Sequence, residues 1–212
     1  MSIVNLVVDS DRVLIGVDTA ASFMECSPGL MSDVDKRGRQ SCKVFLHPQI
    51  NTALTGRGDA LLAAFVQLNL HLGTMQSFDQ AAAVMPDVLR HAYDSAVAAR
   101  KSANSGASMP GSEIILVGYS PAMRRFAAKR WIRRSDDSAF TSLGVGDALY
   151  LPEVERIAPV ERPDTPAKME TLARRQVEYG RNVCPEYEFG GGLLLTELTR
   201  DGITVRRIAT LE

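Results

Sequence analysis

Ile3-Val4-Asn5-Leu6-Val7-Val8, Asp9-Ser10-Asp11 and Val13-Leu14-Ile15-Gly16-Val17 form the stretch whose reading decides the fold. Two short runs rich in β-branched residues surround a tight polar turn. That is the pattern of a β-hairpin, and it begins at the second residue of the chain. Asp18 ends the second run, so pairing across the turn brings its carboxylate close to Ser2.

Outward from the hairpin, residues 20–42 are polar and broken by Pro28, Gly29 and Gly38, and read as a long loop. Long loops inside compact domains are uncommon and often functional. Lys43-Val44-Phe45-Leu46 and Ile50-Asn51-Thr52-Ala53-Leu54 predict a second hairpin across His47-Pro48-Gln49. Thr55-Gly56-Arg57-Gly58-Asp59 reads as a turn into a helix over Ala60 to Leu72, where Leu61, Leu62, Phe65, Leu68 and Leu72 recur at helical spacing. Ser77-Phe78-Asp79-Gln80 has capping-box form and opens a second helical stretch towards Ala99, kinked or broken at Pro86. Glu113 to Tyr119 and Arg124 to Arg133 read as strands. Thr165-Pro166 pairs an N-cap with proline at the first helical position, opening a helix to about Asn182. Leu193 to Thr199 and Ile203 to Ile208 close the chain as a hairpin about Asp201-Gly202. Runs of strands and helices segregated in this way predict an α+β fold with antiparallel sheets. No repeat or linker divides residues 1–212, which read as one domain.

Composition narrows the function. The chain has 212 residues, 45% of them hydrophobic, and a net charge of -1. A neutral balance argues against general nucleic-acid binding, which needs excess positive charge to displace counterions. Cys26, Cys42 and Cys184 are odd in number and lack C-x-x-C spacing, so neither a disulfide framework nor a zinc site is expected. No apolar run reaches the ~18 residues of a membrane span, and the start lacks a signal-peptide pattern. The expectation is a cytoplasmic protein with no membrane partner and no cofactor.

Three residues carry the chemistry. Methionine aminopeptidase removes Met1 ahead of a small residue, which would expose Ser2 as the terminus. A terminal serine holds nucleophile and base in one residue, since its α-amino group titrates at about 7.7–8.0 when unperturbed. Asp18 would hold and polarise a nearby ammonium. Lys43, at the start of the next β segment, would lower the hydroxyl pKa and stabilise developing negative charge. Taken singly, these are an inert terminus, a turn aspartate and a solvated strand-end lysine. The set is more specific than its members.

Ser2, the run ending in Asp18, Lys43-Val44-Phe45 and Thr52-Ala53-Leu54-Thr55-Gly56 together resemble the proteasome β-subunit family and its bacterial relative HslV. Glu113 to Tyr119, Leu143-Gly144-Val145-Gly146 and Phe189-Gly190-Gly191-Gly192 follow in the family's order. Within the family the resemblance is greatest to the branch of the betaproteobacterial proteasome homologue. It implies a four-layer αββα sandwich, the N-terminal-nucleophile hydrolase fold. It implies a peptidase acting on peptides or unfolded protein inside two stacked rings of identical subunits, six or seven to a ring. An ATPase unfoldase partner is left open. By this resemblance Ser2 is the nucleophile and Asp18 and Lys43 its activating pair. Ala53 stands where the family has its oxyanion glycine, and Ser22 near the position whose backbone pairs with substrate. Val145 and Gly146 stand in the family's Gly-Ser-Gly, and Glu186 near its Asp-x-x-Ser.

The sequence departs from the family in having Ser for Thr at the terminus and no hydroxyl in Gly144-Val145-Gly146. A catalytically silent ring and a small-molecule amidase of the same nucleophile group are the rival expectations. Three further features read more simply. Arg57-Gly58-Asp59 is a turn, Gly190-Gly191-Gly192 a bulge or close backbone packing, and residues 129–134 a solvated basic strand face.

Overall fold

The computed structural model describes residues 2–20, 43–103, 109–134, 139–152, 161–183 and 189–211. Strands β1 (Val4–Val8) and β2 (Arg12–Asp18) form the expected opening hairpin. β3 (Val44–His47) turns through a 3₁₀ segment into β4 (Thr52–Arg57), with Asn51 left-handed at φ 47°. Helices α1 (Ala60–Leu72) and α2 (Phe78–Ser102) follow. Then come β5 (Ser112–Ser120), β6 (Arg125–Arg133), β7 (Thr141–Gly144) and β8 (Ala148–Leu151). The chain ends with α3 (Pro166–Val183), β9 (Gly191–Thr199) and β10 (Gly202–Leu211).

The strands make two five-stranded antiparallel sheets. The first is ordered β10-β9-β2-β1-β8 and the second β3-β4-β5-β6-β7. The result is mixed α+β, consistent with a sandwich. Strand alternation explains the packing. Val4, Leu6, Val13, Ile15 and Val17 on the first sheet share a buried apolar cluster with Val44, Ala53, Ile115, Val117 and Phe126 on the second. Leu54, Ile114, Leu116 and Trp131 cluster instead with residues of α1 and α2. Ile3 and Val7 point away from the second sheet and meet Ala173, Val177 and Met169 of α3.

The helix signals hold. Leu62 N–H donates to the Asp59 carboxylate at 2.9 Å, Gln80 N–H to Ser77 Oγ at 3.2 Å, and Lys168 N–H to Thr165 Oγ1 at 3.3 Å. Pro86 does not break α2, which runs through it as one element with Pro86 exposed.

Two expectations are corrected. Thr55-Gly56-Arg57 is strand rather than turn, because β4 is flanked by β5 as far as Arg57. The basic run is not a solvated face, because Trp131 is in the core and Arg130 and Arg133 are buried. Arg57 and Arg130 both pair with buried Glu113. Arg133 donates to the carbonyls of Met109 and Pro110 and lies over the Tyr93 ring.

Candidate active site

The first hairpin sets Val4 opposite Val17, so Ile3 comes level with Asp18. Ile3 N–H donates to Asp18 Oδ1 at 2.9 Å. Ser2, partly buried, is the next residue outward. Lys43, immediately before β3, reaches across from the second sheet and places Nζ 2.6 Å from the same Oδ1. The Lys43 carbonyl accepts from Thr55 Oγ1 at 2.8 Å, which fixes the backbone from which the side chain extends. Asp18 is fully buried and Lys43 nearly so, at 0% and 9% side-chain exposure.

Burial dominates the titration of both groups. It pushes the Asp18 carboxyl up and the Lys43 ammonium down, and the contact between them opposes each shift. An ammonium held on the same carboxylate oxygen as the Ile3 amide can orient a neighbouring hydroxyl and stabilise negative charge as it develops.

A third donor completes Asp18. Gly190 N–H approaches Oδ2 at 3.4 Å. Gly190 has φ 116°, and a Cβ there would lie 2.6 Å from the Leu211 carbonyl oxygen, so glycine is what the backbone permits. The triglycine is therefore close backbone packing, as the sequence indicates. Thr19 adds to it, since its N–H donates to the Gly192 carbonyl and its Oγ1 accepts from Gly192 N–H at 2.7 Å. Gly190 was missed as a partner of Asp18. Its signal in the sequence was three consecutive glycines entering a strand.

The other residues assigned by resemblance fall elsewhere. Ala53 is fully buried between the sheets, opposite Leu46 on one side and Val117 on the other. Strands flank it on both sides, so its amide is committed to the sheet. Val44 faces Thr55, and Ala53 therefore lies about 10 Å along the strand from the level of Lys43. Val145 and Gly146 are at the wrong end of β1. Val8 N–H donates to the Asp147 carbonyl, whereas Val4 faces Leu151. β8 thus runs towards Ser2 and away from residues 144–146, which end roughly 20 Å from it. The residues that β8 delivers beside Ile3 are Leu151 and Pro152. Ser22 and Glu186, with the 20–42 loop apart from Ala20, lie outside the described residues. Among the described residues no group of three or more His, Cys, Asp or Glu could hold a metal, and no helix is long and apolar enough to cross a membrane.

No family model matches this sequence, and no curated protein matches it. Solved structures do. Anbu (ancestral beta-subunit) from Yersinia bercovieri superposes with a TM-score of 0.58 at 12% identity, covering 98% of this chain and 87% of that one. Anbu from Hyphomicrobium sp. strain MC1 gives 0.56 at 13% identity, covering 99% and 88%. Its Gly-1 mutant gives 0.57 at 13%, covering 99% and 87%. At such identities the likeness is one of fold, and it extends over nearly the whole of this chain.

Proposed function

We propose that the chain is an N-terminal-nucleophile peptidase of the proteasome type, in its HslV-like branch, with the four-layer αββα arrangement of that fold. One observation carries the reading. A buried lysine–aspartate pair is bonded to the backbone of the third residue, beside a serine that can become the terminus. The fold shared with an ancestral beta-subunit supports it.

Once Met1 is removed, the Ser2 α-amino group takes the proton of its own Oγ, directly or through water. Oγ attacks the carbonyl carbon of a peptide bond, the C–N bond breaks as the terminal ammonium passes that proton to the leaving amine, and water then hydrolyses the acyl-enzyme to free Ser2. Lys43 stabilises the developing charge and Asp18 holds Lys43. The oxyanion donor is a β4 amide beyond the end of β3, at Gly56–Arg57, rather than Ala53. Ser22 serves substrate backbone pairing, and Glu186 supports the site. The subunits form two stacked rings enclosing Ser2, which keeps a cytoplasmic peptidase from folded neighbours. Closed rings require a head-to-tail contact around each ring.

The test is intact mass before and after treatment with an electrophilic peptide, with Ser2→Ala as control. The expected result is one adduct per chain, mapped to Ser2, in protein lacking Met1. An active preparation that fully retains Met1 would refute the mechanism. Light scattering showing a stable species of ~23–46 kDa at micromolar concentration would replace the chambered peptidase by the small-molecule amidase.

A further inference from the structure

Asn5 and Gln176 form a reciprocal amide pair beneath the strand that carries Ser2. Asn5 Nδ2 donates to Gln176 Oε1 at 2.7 Å, and Gln176 Nε2 donates back to Asn5 Oδ1 at 2.9 Å. The second Gln176 amide hydrogen goes to the Leu151 carbonyl at 3.2 Å. Both side chains are buried, at 0% and 1% exposure. Three elements meet there: β1, the end of β8 and the middle of α3.

The neighbours on that face are apolar. Ile3 and Val7 stand on either side of Asn5 along β1, and Met169, Ala173 and Val177 surround Gln176 on α3. Apolar contact is non-directional and leaves the helix free to settle at more than one height along the strand. A reciprocal amide pair is directional, and it is satisfied at one height alone. Two residues beyond Asn5 towards the start of the chain, Ile3 N–H meets Asp18 Oδ1, the same oxygen that receives Lys43 Nζ.

We infer that Asn5 and Gln176 are positioning residues: the β1–β2 ladder sets Ile3 level with Asp18, and the amide pair locks α3 and the end of β8 onto that strand, so that the segment from Ile3 to Ser2 stays seated beside the Asp18–Lys43 pair. The inference rests on the peptidase reading for its catalytic consequence, although not for its structural one.

The test compares Asn5→Leu/Gln176→Leu with the exchanged pair Asn5→Gln/Gln176→Asn, each in the full chain. Leucine has as many side-chain heavy atoms as asparagine and one fewer than glutamine, so the interface stays filled, and thermal stability of the double leucine variant is expected to stay within about 10 °C of the parent. Amide exchange at Ile3 is expected to accelerate at least tenfold in that variant. Its kcat on a peptide substrate is expected to fall ten- to a hundredfold with KM within threefold. The exchanged pair preserves the summed side-chain length and is expected to recover Ile3 protection to within threefold of the parent. A double leucine variant with parental Ile3 exchange would overturn the inference. So would an exchanged pair no better protected than the leucines. If the parent itself is not labelled at Ser2, the peptidase reading fails and Ile3 exchange alone decides the positioning role. If the leucine variant does not fold, the exchanged pair decides by the same measurement.

Discussion

Lys43→Met removes one ammonium from a fully buried carboxylate while keeping most of the side-chain volume. Asp18 then retains only Ile3 N–H at 2.9 Å and Gly190 N–H at 3.4 Å among its described donors. Breaking a buried pair by deleting one partner costs about 3–5 kcal/mol when the remaining charge has no compensation. At roughly 2–4 °C per kcal/mol for a chain of this size, that is a loss of about 6–20 °C in Tm. The loss should depend on pH, and its sign follows from the carboxyl. Burial already raises the Asp18 pKa and Lys43 opposes that rise, so the variant's folded-state pKa lies higher still. A group whose folded pKa is raised disfavours the fold above its unfolded pKa of about 3.9, and the penalty shrinks as pH falls and the carboxyl takes up a proton. Between pH 7 and pH 5 up to about 2.7 kcal/mol of the deficit is recovered, at 1.36 kcal/mol per unit. Urea unfolding of parent and variant at the two pH values measures it, with equal m-values as the check on two-state comparison. Asp18→Asn/Lys43→Met should regain much of the stability and no activity. An equal deficit at pH 5 and pH 7 would refute the argument, since it would mean that Asp18 is not the charge left behind.

Other outcomes follow from the same geometry. Lys43→Ala and Asp18→Ala should each abolish labelling of Ser2, and Lys43→Ala within a few-fold of the parent would remove Lys43 from the site. kcat/KM should rise with pH as the terminal amine, a group whose unperturbed pKa is about 7.7–8.0, loses its proton. It should fall again below the ordinary lysine value of about 10.4, because burial lowers the Lys43 pKa, and a profile flat from pH 8 to 10.5 would contradict this assignment. Gly190→Ala forces a Cβ towards the Leu211 carbonyl at positive φ and should cost about 1–3 kcal/mol, read by denaturant midpoint, together with most of the labelling rate. Glu113→Ala removes the shared partner of Arg57 and Arg130 and should destabilise the fold by about 3–5 kcal/mol, while a change under 1 kcal/mol would show that the cluster is dispensable.

The relation between Ser2 and Asp18 was legible because a hairpin fixes its own register, and the turn and alternation of residues 3–17 are local. The atom that touches the carboxylate is the amide of Ile3, next to Ser2. Lys43 was not legible from pattern, because a long segment separates it from the hairpin and only the order of motifs pointed to it. Val145 and Gly146 were misplaced for a different reason. β7 and β8 are four residues each, and β7 is exposed throughout, so neither leaves a periodic signal. Without β8 the direction in which the chain approaches Ser2 is unknown, and motif order alone assigns the wrong end. Ala53 failed similarly, because a register three residues removed is invisible to sequence. The basic run misled because Glu113 and the carbonyls of Met109 and Pro110, which let Arg130 and Arg133 be buried, lie far from it in the chain.

Residues 145–147 join the edge strand of one sheet to the edge strand of the other, and they do so at the end away from Ser2. The same end carries further stitches. Asn51 Nδ2 donates to the Thr199 carbonyl at 2.6 Å, Phe126 N–H to the Ser10 carbonyl at 3.4 Å, and Arg200 to the Arg124 carbonyl at 3.4 Å. At the Ser2 end the Lys43–Asp18 contact crosses between the sheets. The two sheets are thus bound along a spine at one end and fastened at the other by a clasp made of the Lys43–Asp18 pair. On the peptidase reading, loosening that clasp would part the sheets where an extended peptide enters, and tightening it would dull the lysine that the proposed chemistry uses. If the chain is that peptidase, turnover and cohesion draw on one bond, and neither can be relaxed without the other registering it.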